Sequence, residues 1–322
     1  MFSIIHQNVL IIVHNYNINQ NNHSILISLS GGQDSLCLTK LLSNLNTHKL
    51  WQIYLIHFNH KWRENADENS SLLRYLALIL DLELYTYINY NKILSENHSR
   101  RWRYKVLFFL ADMIKSNLIC TAHTLTDNLE TSFANFMRGC TLEGLTGFSC
   151  IRKYSFYKYL FRPLIHSYRD QIYWYCRNFL LPIWSDHTNY HYNLQRNRIR
   201  QELIPYFRTF FNSKIEYQLQ FSITKIKNDA NYLNYITEYF YFLIHHKVFL
   251  AINYRVLNSL HSSIKSRVIK RFIQSHCEII INRAQTIRIL RYFNKIETNN
   301  NILFVSKNIS MYKKNYWLYL SF

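Results

Sequence analysis

The chain has 322 residues, 48% of them hydrophobic and 18% charged, which excludes a disordered chain, leaves room for a real core and gives two domains as the ordinary expectation. No stretch approaches the roughly 18 uninterrupted apolar residues of a membrane span. The apolar run at Asn8–Val13 is too short for one, and neither a basic n-region nor an Arg-rich stretch precedes it, so the protein is expected to work in the compartment where it is made.

The formal net charge of +19 is unevenly placed: residues 1–150 carry 12 Lys+Arg against 11 Asp+Glu, residues 151–322 carry 26 against 8. An excess this lopsided points to a polyanionic partner. Nucleic acid is favoured over anionic lipid, because the basic residues are interleaved with Tyr, Trp, Phe and Asn, which can stack on or bond to unpaired bases. The six cysteines, at 37, 120, 140, 150, 176 and 277, form no C-x-x-C, so neither a zinc ribbon nor an iron–sulfur site is signalled and reduced thiols are expected.

Taken in chain order, the periodicity predicts a buried strand at Ile25–Leu29, a helix over residues 36–45, strands at Trp51–Phe58 and Glu83–Ile88 separated by a helix at Asn69–Leu80, a helix at Trp102–Ile114, a strand at Leu118–Ala122 and a helix at Thr126–Arg138. Strands alternating with helices of this length predict an α/β fold with a parallel sheet covered on both faces. Residues 213–322 read as a small, mainly helical domain closed by two short strands, Ile302–Ser306 and Tyr316–Ser321, around a turn at Lys313–Asn315. The stripe Tyr232, Tyr235, Tyr239 and Leu243 is expected to face its core. The domains are thus placed at 1–212 and 213–322.

Only five glycines occur, all in two stretches, Gly31–Gly32 and the segment RGCTLEGLTG at 138–147. In a chain so depleted, they mark backbone positions where a Cβ is hard to accept. The first pair follows a predicted strand and opens a predicted helix in SGGQDS. Ser30, Gly31, Gly32, Gln33 and Ser35 form a loop with free N–H groups, hydroxyls and a positive helix end, suited to a phosphate. Asp34 cannot attract an anion directly, so its natural role is to hold a Mg²⁺ that the phosphates share. The G-x-x-x-x-G-K-[ST] and G-x-G-x-x-G patterns are both absent.

SGGQDS after a strand resembles the pyrophosphate-binding loop of the N-type ATP pyrophosphatases, the PP-loop enzymes with an adenine nucleotide alpha hydrolase-like fold. Residues 121–148, TAHTLTDNLETSFANFMRGCTLEGLTGF, resemble the A-H-H-x-D-D-x-x-E-T block of the tRNA(Ile)-lysidine synthetases. Further likenesses to that family are HFNHKWR at 57–63, SRRWRY at 99–104, FRPLI at 161–165 and SDHTNYHYNLQRNRIRQELIP at 185–205. Five blocks in order over some 180 residues make the likeness specific. Thr124 and Thr126 replace the second His and first Asp of the family pattern, and His191 stands where an acidic residue is common, while His123, Asp127, Glu130 and Thr131 are kept.

The resemblance implies an ATP-dependent ligase that activates C2 of the wobble cytidine of a CAU-anticodon tRNA(Ile) and joins free L-lysine to it. It implies ATP bound at Ser30–Ser35 with Arg138 and Gly139, Mg²⁺ held by Asp34 and Asp127, and Arg100 and Arg103 near the reacting centre or on tRNA phosphates. His60, Arg63, Arg196, Arg198 and Arg200 are implied to contact tRNA. His123 and Asp127 are alternative acceptors of the lysine proton, a capping box is the ordinary alternative for Asp127, and a helix C-cap is the alternative for Gly139. On a helix Arg196 and Arg200 share a face and Arg198 points away. The basic second half is expected to grip the tRNA body in a salt-sensitive way. The likeness is compatible with a homodimer, and the composition with a plastid stroma or a bacterial cytoplasm. A tRNA sulfur transferase and a catalytically silent RNA binder are the rivals.

Overall fold

The computed structural model describes residues 3–16, 18, 23–46, 51–59, 66–89, 96–155, 158–184, 195–277, 279, 281–295, 302–306 and 309–321. Two compact units divide it, Met1–Thr224 and Lys225–Phe322. The division falls inside the helix Ile215–Ile244, twelve residues beyond the boundary expected from sequence.

The first unit is built on a six-stranded sheet in the order β3-β2-β1-β4-β6-β5. Strands β1 (His23–Ser28), β2 (Trp51–Asn59), β3 (Glu83–Ile88), β4 (Leu118–Cys120) and β6 (Lys158–Phe161) run parallel, and β5 (Ile151–Ser155) is antiparallel to β6. The apolar run of β1 reads as a central strand because both its faces are covered. Ile25 and Ile27 pack into one cluster with Ile5, Val9 and Ile12 of α1 (Ile4–Asn15), Leu38 and Leu41 of α2 (Gln33–Leu45) and Ile172 and Tyr175 of α7 (Arg169–Asn178). Leu26 points the other way, onto Leu107 and Leu110 of α4 (Glu96–Met113). The short apolar run near the N terminus is therefore one face of a core helix. Helix α3 (Ala66–Ile79) bridges β2 and β3, and α5 (Leu125–Met137) and the single turn α6 (Leu142–Leu145) follow β4.

The elements predicted between residues 25 and 138 are all present, the largest shift being the start of α4 at Glu96 rather than Trp102, while α1 has no counterpart in the expected elements. The β5–β6 hairpin has no counterpart in the sequence reading: Arg152, Lys153 and Lys158 interrupt its apolar alternation. No helix among the described residues is long and apolar enough to cross a membrane.

Beyond α8 (Gln195–Arg198) the chain widens into a π-helical segment, Ile199–Leu203, before α9 (Ile204–Phe210) and the long α10 (Ile215–Ile244). Pro205 has no N–H to give the carbonyl four residues back, a local reason for the irregular turn.

The second unit corrects two expectations. Its sheet has four antiparallel strands, β7 (Ala251–Asn253), β10 (Trp317–Ser321), β9 (Ile309–Lys314) and β8 (Ile302–Ser306) in spatial order, rather than two. Asn315, at φ 55°, makes the β9–β10 turn at the place the sequence gives it. Helices α11 (Tyr254–Ser259), α12 (Ser262–His276) and α13 (Arg283–Lys295) complete the unit around Leu257, Phe272, Phe293, Met311 and Leu318. The stripe Tyr232, Tyr235, Tyr239 and Leu243 is exposed, and Leu233, Ile236, Phe240 and Ile244 face the core instead. The C-terminal part of α10, residues 232–244, carries apolar or aromatic residues on most of its faces, so two faces fit the same period, and the tyrosines, with hydroxyls to solvate, take the wet one.

Candidate active site

The order in which strands are added reverses between the parallel strands β1 and β4, so the crevice beyond their carboxyl ends is where an open α/β sheet receives ligands. Two loops lead from these ends to helix N termini: Leu29–Gly32 into α2 and Thr121–Thr124 into α5.

The first loop is tied by its own serines. Ser30 Oγ and Ser35 Oγ lie 3.0 Å apart, the Ser30 N–H reaches Ser35 Oγ at 3.2 Å, the Gly32 N–H donates to Ser30 Oγ at 3.3 Å, and Ser35 Oγ donates to the Gly32 carbonyl at 2.9 Å. No side chain caps α2 at Gly32, so the N–H groups of its first turn are left for an anion. Gly31 sits at φ 88°, and a Cβ there would collide with Asn69 Oδ1, whose amide donates to the Ser30 carbonyl at 3.2 Å. A Gly31→Ala variant is therefore expected to lose about 1–3 kcal/mol from backbone strain alone and to bind ATP more weakly. Urea unfolding and nucleotide titration check this together.

Asp34, in the first turn of α2, is largely buried, and burial pushes its carboxyl up to about 6, with the Asp127 charge adding to the rise and Arg169 and Arg200 opposing it. Arg169 Nη2 stands 3.9 Å from Asp34 Oδ2, too far for a hydrogen bond.

The second loop delivers Asp127 and Glu130. Thr124 caps α5 reciprocally with Asp127: the Thr124 N–H and hydroxyl donate to Asp127 Oδ2 at 2.8 and 3.1 Å. The capping box is thus real, and it uses one oxygen. The other, Oδ1, accepts from Arg196 Nη2 at 2.7 Å and Arg200 Nη2 at 2.8 Å. The same arginines hold Glu130, whose side chain is fully buried: Arg196 Nε donates to Oε2 at 2.6 Å, Arg200 Nε to Oε1 and Arg200 Nη2 to Oε2 at 3.1 Å. Although burial opposes it, this company keeps the Asp127 carboxyl below its ordinary value. Arg198 points away and pairs with Glu202 at 3.0 Å in solvent, as the helical spacing requires.

His123 belongs to the second loop. Its Nδ1 is 2.9 Å from Thr121 Oγ1 and its ring packs on Phe148 at 4.8 Å. Burial pushes its imidazole well below the ordinary value, so the ring is neutral. Phe148 is returned to the crevice by the segment after α5. Its N–H donates to Asn128 Oδ1 at 2.6 Å, and Gly147, at φ 64°, leaves that amide no room for a Cβ. Arg100 lies over both Tyr104 and Phe148, and Arg162 over Phe148. Arg103 is half-buried on the same helix as Arg100.

The structure therefore brings Ser30–Ser35, Asp34, His123, Asp127, Arg196 and Arg200 to one end of the sheet. Arg138 and Gly139 end the helix that Asp127 begins, about 16 Å further along its axis. Arg138 there bonds Asn135 Oδ1. His60 and Arg63 lie outside the described residues. Sequence reasoning gave no role to Arg162, quoted only within FRPLI, or to Arg169, which no motif flags.

For Mg²⁺ the fit differs between the two expected ligands. Asp34 suits a hard cation: it is a buried carboxylate whose neighbouring charge is another carboxylate and whose nearest guanidinium is out of bonding reach. Asp127 already has both oxygens engaged, and Oδ1 is open to a metal only when the arginines let go. No group of three or more His, Cys, Asp or Glu side chains able to hold a metal occurs among the described residues.

Fold and site define a PP-loop ATP-binding enzyme, and residues 3–207 match the PP-loop domain family. The chain is 36% identical to the chloroplastic tRNA(Ile)-lysidine synthase of Pyropia yezoensis, over 99% of this chain and 96% of that one, and 34% identical to the chloroplastic tRNA(Ile)-lysidine synthase of Gracilaria tenuistipitata var. liui, over 99% of both. The tRNA(Ile)-lysidine synthase of Nostoc sp. is 36% identical over 66% of this chain and 63% of its own length. The chain belongs to the tRNA(Ile)-lysidine synthase family. Among solved structures, the U34-tRNA thiolase NcsA from Methanococcus maripaludis shares the fold, with a TM-score of 0.59 and 15% identity over 69% of this chain and 77% of that one.

Proposed function

We propose that this protein joins free L-lysine to C2 of cytidine 34 in tRNA(Ile) with a CAU anticodon, using ATP through an adenylated cytidine and releasing AMP and diphosphate. The observation that carries the reading is the convergence of the uncapped serine–glycine loop with His123, Asp127 and two arginines at one end of the sheet, in a chain alike along its whole length to named lysidine synthases.

The chemical difficulty is a poor leaving oxygen on an unreactive ring, which adenylation converts into a good one. The Ser30–Ser35 loop and the start of α2 hold the phosphates. Asp34 and Asp127 hold Mg²⁺, which when bound neutralises charge on the departing diphosphate. Arg196 and Arg200 neutralise Asp127 and Glu130 in the free protein. With ATP and a cation bound, they would exchange Asp127 for substrate phosphate, so that Asp127 and Glu130 would not stand uncompensated. Neutral His123, with Nε2 unpartnered among the described residues, orients the base or the incoming amine. Arg100 and Arg103 meet charge developing on phosphate and cytosine oxygen. Arg138 and Gly139, at the far end of α5, are suited to RNA rather than to ATP phosphates. The basic second unit grips the tRNA body, and the wobble base is unstacked to enter the crevice. The chloroplastic relatives support a plastid setting, with a bacterial one as the alternative.

Purified protein incubated with ATP, Mg²⁺, labelled lysine and the CAU-anticodon tRNA(Ile) transcript is expected to add the mass of one lysine less water to nucleoside 34, and Asp34→Ala to abolish the gain. A sulfur-sized gain, or tRNA binding without any gain, would refute the reading.

A further inference from the structure

Arg162 follows β6, and its strand end is bonded to the His123 loop: the Thr121 N–H donates to the Phe161 carbonyl at 3.0 Å. It is only 4% exposed, yet no carboxylate accompanies it among the described residues. Nη1 donates to the Ser149 carbonyl at 2.8 Å, the guanidinium lies 5.0 Å from the Phe148 ring centre, and Nε–H is buried with no acceptor. Tyr104 on α4 is the polar side chain that favours its charge, while the nearest full charges repel it: Arg152 on β5 and Arg100, which is exposed and lies 6.0 Å from the same ring centre.

A buried cation with an idle donor and cationic neighbours is costly unless an anion completes it. The neighbouring buried ion cluster is balanced, since Asp127 and Glu130 are matched by Arg196 and Arg200. The crevice thus has a phosphate-holding side, an acidic cluster clamped by arginines, and a pocket of Arg162, Arg100 and Tyr104 floored by Phe148, with no carboxylate among the described residues. His123 feels Asp127 on one hand and Arg162 and Arg100 on the other.

We propose that Arg162, with Arg100 at its mouth, binds the α-carboxylate of the amino-acid substrate. This rests on the lysine-ligating function proposed above. A small planar anion matches a guanidinium stacked on an aromatic ring, and it can reach a group almost closed to solvent, which a phosphate of an RNA backbone cannot. The ATP phosphates have their own donors in the Ser30–Ser35 loop. The amine end of the same molecule then runs past His123 towards Asp127.

The test titrates L-lysine and L-lysinamide, which lacks the carboxylate charge, into the full chain by calorimetry. Wild type is expected to bind lysine about 10- to 100-fold more tightly than lysinamide, the range of a hydrogen-bonded charge. Arg162→Met is expected to bind the two alike. A preference that survives Arg162→Met, equal binding in wild type, or no lysine binding at all overturns the proposal. If circular dichroism shows Arg162→Met unfolded, the preference is read on Arg100→Ala, whose side chain is exposed, and an unchanged preference there overturns it. A KM for ATP or tRNA that rises while lysine binding stays intact would make Arg162 a phosphate ligand and also overturns it. Lysidine formed by wild type alongside any of these results leaves the function standing and removes only this subsite, whereas no lysidine removes the function itself.

Discussion

Asp34→Asn is expected to raise the thermal midpoint of the free protein at pH 7 and to abolish turnover. In the folded chain the Asp34 carboxyl is raised from 3.8 to about 6, so the folded state prefers the protonated form. For an acid raised in this way, stability falls as pH climbs from about 4 through about 6, and at pH 7 the ionised group costs its full amount. The gap corresponds to at most about 3 kcal/mol. With a side chain 23% exposed, about 1–3 kcal/mol is the expected gain. Asparagine keeps the shape and drops the charge. Differential scanning at pH 7 should show the variant a few degrees above wild type, and the gap should shrink as pH falls through about 6 and close only below about 3.8, where folded and unfolded wild type are both protonated. If Asp34 holds Mg²⁺ as proposed, Mg²⁺ with ATP should stabilise wild type more than the variant. Equal midpoints at pH 7 would mean that Asp34 is already compensated in the free protein, by Arg169 or otherwise.

Such a strained carboxylate is legible in sequence as chemistry but not as energy. SGGQDS announces a phosphate loop because so few glycines survive elsewhere in the chain, and the φ of 88° at Gly31, pressed against Asn69, is the physical content of that signal. The helices α2 to α5 and the first four strands were equally legible, since each carries one clean period, whereas α1 was met only as an apolar run too short to span a membrane. What sequence could not supply is partnership across distance. Arg196 and Arg200 look like RNA ligands in a basic stretch. Only folding brings them onto Asp127 and Glu130, some seventy residues away. Arg162 looked like part of a family block and Arg169 like nothing in particular. Their importance lies in burial without a carboxylate for the first, and in standing near Asp34 for the second. The four tyrosine and leucine positions on α10 failed for the opposite reason: period was present, but on two faces at once.

The buried ion cluster carries the largest stability effect expected in the molecule. Glu130→Ala should destabilise the chain by about 3–5 kcal/mol, because it leaves Arg200, 18% exposed, with only a shared oxygen of Asp127 as counterion. Glu130→Gln should cost less, since it retains volume and one acceptor but not the charge. Arg198→Ala, which breaks only the solvent pair with Glu202 two residues from both clamp arginines, should change stability by no more than about 0.5 kcal/mol. Urea midpoints for the three variants order these costs. The order matters for mechanism. If Glu130→Ala is severe and Arg198→Ala is silent, Glu130 is the fixed anchor that keeps both guanidinium groups at the crevice while Asp127 exchanges them for a cation and phosphate. A Glu130→Ala cost below about 1 kcal/mol would mean that solvent already screens the cluster, and the arginines would then be free to meet RNA without leaving any partner behind.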